Sequence, residues 1–546
     1  MTSREEQRKE EASQAELFFG LVGATGTDLG MVELGLSDAL RELNYIPIPI
    51  RLSDLIEEHF NVTSENRPKR EYNRISNAMK LGNKLRALCN DAVALLGVAE
   101  IKRLREQEWL QAAKVPNEAK PEDYDRIPLP RRAYILRSLK HKEEVDILRQ
   151  IYGESFFVIS AYSSRANRKA RLEKRIAESE IGCKIDRRVK KADLLMHRDF
   201  TEAETLKNGQ NVRDTFPLAD LFVNADNQDD CEKALIRFTR LVFGDPQQTP
   251  TIDEYCMFHA KGAALRSGDL GRQVGAIIAS TEGDVICHGT NEAPKAFGGQ
   301  AWSDNDTLGL RGIAQLIDVS DQRKKSLLSN ILHLLLKNER IGGIDSDGID
   351  KLAEEVFSDN RPKWIKGAEL LELIGFYISV HAETAAIINA ARLGISVRHH
   401  SLYVTAFPCH ECARHILAAG IERVLYIEPY PKSLAGEHYP KSIAIDELGP
   451  NEKIPFLQFV GIAPRAYMRF FEALERKNKD GTPIKLVTES CSVRYYQHWL
   501  AYTEKEKRFC FDLEDKLRKR QTIAGGSAND ESAQKEIASG GTQQKL

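Results

Sequence analysis

The chain has 546 residues, a formal charge of −2, 42% hydrophobic and 29% charged residues, a length that calls for more than one core and a balance that exerts no overall pull toward nucleic acid or membrane. No apolar run approaches the about 18 residues of a membrane span, and the charged first residues lack the apolar core of a signal peptide, so a cytoplasmic location is expected. Nine cysteines in such a chain are expected to be reduced core thiols, except Cys409 and Cys412, which have the close spacing of metal ligands.

Residues 1–15 read as a flexible lead-in, followed by an N-terminal domain over 16–243. Within it, 17–23 reads as a buried strand, 24–28 as a turn and 31–43 as an amphipathic helix, the opening of a P-loop-like unit. Gly23, Gly26, Thr27 and Asp28 are its candidate nucleotide-binding residues. A phosphate-transferring loop adds a Lys followed by Ser or Thr, and that pair is missing after the turn. Residues 30–37 match the glycine spacing with Leu36 in place of Lys, but they fall inside the helical pattern. The expectation is a nucleotide-kinase-like P-loop fold without transfer chemistry, serving regulation through a nucleotide effector.

Strands at 132–136, 156–161 and 219–224, with helices at 143–152 and 231–242, imply a parallel α/β sheet. Between Arg165 and Lys191 there are eleven basic residues against four acidic ones, which suits either a solvated helix face or a lid over phosphates. Residues 244–250 have the composition of a linker.

A second domain is expected over 251–515. It starts with a helix at 255–267 and strands at 273–280 and 285–289 joined by a turn at Gly283. An insertion of charged amphipathic helices over 303–375 reads as oligomer contact or cover for a substrate mouth. Further strands are expected at 402–405, 423–427 and 456–462, and a helix at 493–517. Over 524–546 Gly, Ser, Gln and charge dominate, and disorder is expected.

The chemistry concentrates in His381-Ala382-Glu383 and Pro408-Cys409-His410-Glu411-Cys412. This His-x-Glu and Pro-Cys-x-x-Cys pairing is the signature of zinc-dependent nucleobase deaminases. A catalytic zinc site keeps three protein ligands and one open position, and His381, Cys409 and Cys412 supply the three. The cysteines stand on one face of a first helical turn entered through Pro408, where the helix N-terminus favours thiolate. Glu383 is the expected proton shuttle for water attack at C4 of a cytosine ring. A closed structural site with His410 or His415 as fourth ligand is the rival reading, and it leaves Glu383 without a role.

Arg266-Ser267, 273–276, 289–294, His381–Glu383, 402–405 and Pro408–Cys412 fall in the order of the deoxycytidylate deaminase family, which the stretch from about 255 to 465 resembles. The resemblance implies a cytidine-deaminase-like three-layer α/β/α domain with Zn2+ as cofactor, Asn291 on the deoxyribose and the Ala382 region on the pyrimidine edge. Arg266, Lys295 and Lys432 are the candidate phosphate contacts.

With its P-loop-like front half, the chain also resembles two-domain bacterial deaminases of anti-phage defence, which deplete dCTP or dCMP. Some of these are held inactive by a small RNA or a protein partner. The implied function is hydrolytic deamination of dCTP or dCMP by a homo-oligomer with no membrane partner. A polynucleotide deaminase, the first alternative, needs a basic track bearing aromatic residues, and the catalytic half has none. A nucleotide-sensing regulatory protein is the second, and sensing is compatible with catalysis.

Overall fold

The computed structural model describes residues 11–112, 120–430, 432–447, 452–472, 475–488 and 491–539, apart from 207, 305, 307, 316, 317, 359, 360, 366 and 367. The chain forms two compact units, one of 1–249 with 460–546 and one of 250–459. Among the described residues no helix is long and apolar enough to cross a membrane.

The first unit is built on β1 (Leu17–Gly23), whose seven residues are all buried, as the unbroken apolar run requires of a central strand. β1 pairs in parallel with β3 (Arg132–Leu139) on one side and β4 (Phe156–Tyr162) on the other. β2 (Ile46–Arg51) lies outside β3 and β5 (Leu221–Asn224) outside β4, both parallel. The strand sequence thus turns in opposite directions on either side of β1. In open parallel sheets such a switch point, at the carboxyl ends of the strands, is where ligands bind.

The turn expected at 24–28 follows β1, and the Asp28 carboxylate caps the helix Leu29–Arg41 by accepting from the Met31 N–H at 3.1 Å. Residues 30–37 lie within that helix, as expected. No element was expected between 44 and 131, where the structure has β2 and the helices Leu52–His59, Glu71–Arg86 and Ala92–Gln111. Pro47 and Pro49 argue against a strand in general, and they are tolerated in β2 because it is the sheet edge.

The second unit has the strand order β10-β11-β9-β8-β6-β7, with β6 (Gly275–Ala279), β7 (Val285–Thr290), β8 (Ser401–Ala406), β9 (Arg423–Glu428), β10 (Ile443–Ile445) and β11 (Ile454–Gln458). The β6–β7 hairpin is antiparallel and turns through Gly283 at φ +91°, while β8, β9, β11 and β10 run parallel. Two glycines show how its layers are stacked. A Cβ on Gly275 would collide with the backbone of the helix Ile252–Leu265, and one on Gly289 with that of the helix Ala382–Leu393. Gly289 is the register partner of Ala276, the neighbour of Gly275, so the two helices cover opposite faces of the sheet.

The strand expected over 456–462 is divided. β11 ends at Gln458 in the second unit's sheet, and β12 (Gly461–Ile462) pairs antiparallel with β5 in the first. Gly461, at φ +130°, permits the change of direction between them. The second unit therefore stops at Phe459, whereas the sequence reading carried it to 515.

The helix Trp499–Ser539 belongs to the first unit. It is held there by a buried charge network: Arg105 donates to Glu16 Oε2 at 2.7 Å and to Glu506 Oε2 at 2.6 Å, with all three side chains fully buried. Tyr134 and Tyr502 donate to Glu16 as well. A buried arginine is tolerable only when paired and hydrogen-bonded in this way. Of the tail expected to be disordered, the helix takes residues as far as Ser539, and 540–546 lie outside the described residues.

Candidate metal centre and active site

His381 is the residue before the helix Ala382–Leu393, and Cys409 the residue before the helix His410–Ala419. Two helix starts therefore meet at one point. The Cys409 sulfur accepts from the Cys412 N–H at 3.4 Å, which folds the Cys-x-x-Cys segment so that both sulfurs face His381. His381 Nδ1 lies 3.3 Å from Cys409 Sγ and 3.4 Å from Cys412 Sγ. Donor atoms of a tetrahedral zinc site, with bonds of about 2.0–2.3 Å, stand about 3.5 Å apart, so the three fit that ion. Among the described residues this is the one such cluster.

His410 does not join it. Its ring stands 5.2 Å from that of His438, and His415 is exposed, so three protein donors remain and the closed four-ligand reading has no fourth partner.

Glu383 is buried, in the first turn of the helix that His381 opens. Burial first, then the charge of Cys409, pushes its carboxyl up to about 7, the range in which a group can both take and give a proton near neutral pH. The Cys412 thiol beside it holds Cys409 down to about 4, with His381 adding to the effect, while Cys412 itself is pushed up as the donor of that pair. Thr384 Oγ1 lies 3.4 Å from the Cys412 sulfur, a side-chain contact that no motif in the sequence singles out.

Residues 250–428 match the family described as the cytidine and deoxycytidylate deaminase zinc-binding region. The match lies within the second unit. Over 57 residues the chain is 44% identical to the deoxycytidylate deaminase of Enterobacteria phage T4, covering 10% of this chain and 30% of that one. It is 34% identical over 114 residues to the probable deoxycytidylate deaminase of Drosophila melanogaster and 33% over 110 residues to the human enzyme, covering 54% and 58% of their lengths. The chain thus spans between about a third and just over half the length of these curated relatives. Among solved structures, the dCMP deaminase of cyanophage S-TIM5 in complex with dCMP and dUMP aligns at 16% identity and a TM-score of 0.21, over 39% of this chain and all of that one.

The other candidate residues differ in burial and in hydrogen-bond partners. Ala382 is fully buried next to His381. Asn291 is buried with its amide already engaged: Oδ1 accepts from the Val274 N–H at 2.7 Å, and Nδ2 donates to the Arg272 carbonyl. Arg266 donates to the Ala301 carbonyl at 2.9 Å and lies 3.8 Å from the Trp302 ring centroid. Lys295 and Lys432 are exposed.

Gly23, Gly26, Thr27 and Asp28 stand together in the first unit. There the Gly23 carbonyl accepts from Lys140, and the Thr25 N–H donates to Asp199 at 2.6 Å. The basic run of 165–191 forms parts of two helices, and much of its charge is spent on ion pairs such as Lys169–Asp193 and Lys191–Glu180.

Sequence reasoning missed a buried pair beside the centre. Glu292, fully buried, accepts from Arg311 Nε at 2.9 Å and from the Gly268 N–H at 2.8 Å, and its backbone bridges Val380. Arg311 comes from the insertion, and Tyr377, whose ring stands 6.0 Å from that of His381, lies just after it. Neither carries a short-range motif that could have revealed it.

Proposed function

We propose that the protein hydrolytically deaminates a free deoxycytidine nucleotide, dCMP or dCTP, consuming water and releasing ammonia and the uracil nucleotide. What supports this reading is the convergence of His381, Cys409 and Cys412 beside the buried carboxylate of Glu383, within a stretch that matches a deaminase zinc-binding region. The three side chains would hold zinc, which when bound lowers the pKa of a coordinated water toward neutrality and so readies it for attack at C4.

Glu383 takes the proton of the attacking water, passes it to the ring N3 and then protonates the departing amine. Its burial keeps those transfers out of bulk water. Asn291 holds the loop that faces the deoxyribose, Ala382 leaves its backbone open to the pyrimidine edge, and Arg266, Lys295 and Lys432 meet the phosphates. The first unit regulates this reaction, and the protein works as a homo-oligomer that lowers the dCTP pool in anti-phage defence, under restraint by a small RNA or a protein partner. The support for that setting is the resemblance in two-part architecture.

Incubation with dCTP, dCMP, cytidine and a cytosine-containing oligonucleotide, followed by ammonia release, tests the reading. Turnover of dCTP or dCMP with little of the others is expected. Turnover of the oligonucleotide alone would overturn it.

A further inference from the structure

A cavity of about 740 Å³ in the first unit opens at the carboxyl ends of β1, β2 and β3 and is lined by seven basic side chains against three acidic ones. Its volume lies in the usual range for small-molecule sites. Arg51 and Arg137, both on its wall, are register partners on the adjacent strands β2 and β3. Two like charges side by side destabilise a sheet unless an anion lies between them. Arg137 shares Glu33 at 3.2 Å, whereas Arg51 has no acidic partner among the described residues. Across the cavity Arg74 and Arg175 both lean on the single carboxylate of Glu71, leaving a further surplus of positive charge.

The turn after β1 offers less to an anion than its position suggests. Asp199, 1% exposed, takes both the Thr25 N–H at 2.6 Å and the Lys140 ammonium at 2.9 Å. The chain's own carboxylate thus engages the donors that a kinase-like loop would turn toward a transferred phosphate. The Thr27 hydroxyl, also on the cavity wall, has no hydrogen-bond partner among the described residues. The lining also includes the apolar side chains of Leu52, Ile56, Ile75, Met79 and Val93, which offer contact to a planar ring.

We propose that this cavity binds a nucleotide-class ligand, its phosphates between Arg51 and Arg137 and its base against these apolar side chains, without phosphoryl transfer. The site is separate from the centre at His381, and the proposal stands or falls independently of the deaminase reading. The Arg51–Arg137 pair supplies charge-assisted hydrogen bonds to phosphate, the strong class of such bonds.

The test uses the full chain carrying Glu383→Gln, so that no turnover alters the probe, titrated calorimetrically with ATP, GTP and dTTP. At least one should bind, with hydrogen-exchange protection over 51–56 and 71–79. Arg51→Gln and Arg137→Gln should each weaken it by about tenfold or more, the loss of one charge-assisted bond. Absence of binding by all three, protection confined to 381–412, or affinity unchanged in both arginine variants would each overturn the proposal.

Discussion

Arg311 donates through Nε to Glu292 Oε2 at 2.9 Å, and Glu292 is fully buried one backbone bridge from Val380, the residue before His381. An arginine from the insertion therefore neutralises a carboxylate packed behind the centre. Replacing Arg311 with Met leaves that carboxylate buried and unpaired, and the second unit should lose about 3–5 kcal/mol. Glu292→Gln together with Arg311→Met should recover much of this loss. Denaturant unfolding of the two variants measures the difference, and an Arg311→Met protein as stable as the parent would show that the pair is dispensable.

Glu383→Gln should lower deamination by at least about a hundredfold, the usual size of an acid–base contribution. Metal content by mass spectrometry should stay at the parent level, because the three donors are untouched. Retained turnover would remove Glu383 from the role of proton carrier.

Cys409→Ser should lose the metal and activity together, since the Cys409 sulfur both donates to the cluster and caps the helix His410–Ala419 through the Cys412 N–H. The readouts are zinc stoichiometry and the melting temperature with and without added zinc. A zinc-replete parent should melt higher than its chelator-treated form, and the Cys409→Ser protein should show little response.

Gly289→Ala tests the packing that aims Glu383. The added methyl would strike the Ala382 carbonyl and the Ala386 N–H, so the helix carrying Glu383 must move away from β7. Activity should fall by about tenfold or more, since small displacements of catalytic groups have large rate effects. Gly262→Ala is the control: it lies in the helix Ile252–Leu265 with nothing within 4 Å of the new Cβ, and it should stabilise by about 0.4–1 kcal/mol.

Arg105→Met should destabilise the first unit by about 3–5 kcal/mol, because Glu16 and Glu506 would keep buried charges with no cation between them. Limited proteolysis should then release the helix that begins at Trp499. Undiminished protection of that helix would mean that its apolar contacts hold it without the network.

The centre was legible because its information is local. His381 and Glu383 sit two residues apart at one helix start, Cys409 and Cys412 three apart at another, and such spacings set donor geometry within a single turn. Arg105 reads in sequence as one more charge in a stretch where no element was expected, and only its partners 89 and 401 residues away make it a buried anchor. β2 was hidden by its prolines, which mislead about strand formation until the strand is known to be an edge. Residues 456–462 read as one strand because alternation reports that a segment is extended, without saying which sheet it joins.

By itself the sequence determined which residues form the candidate centre and which short segments present them, since helix starts, turns and ligand spacing are matters of a few neighbouring residues. Tertiary structure alone decided the rest: that Arg311 of the insertion meets Glu292, that Arg51 stands beside Arg137, and that the chain returns from the second unit to finish the first. These pairings join positions tens to hundreds of residues apart, and they are selected by the burial of charge and the register of strands, which no local pattern encodes.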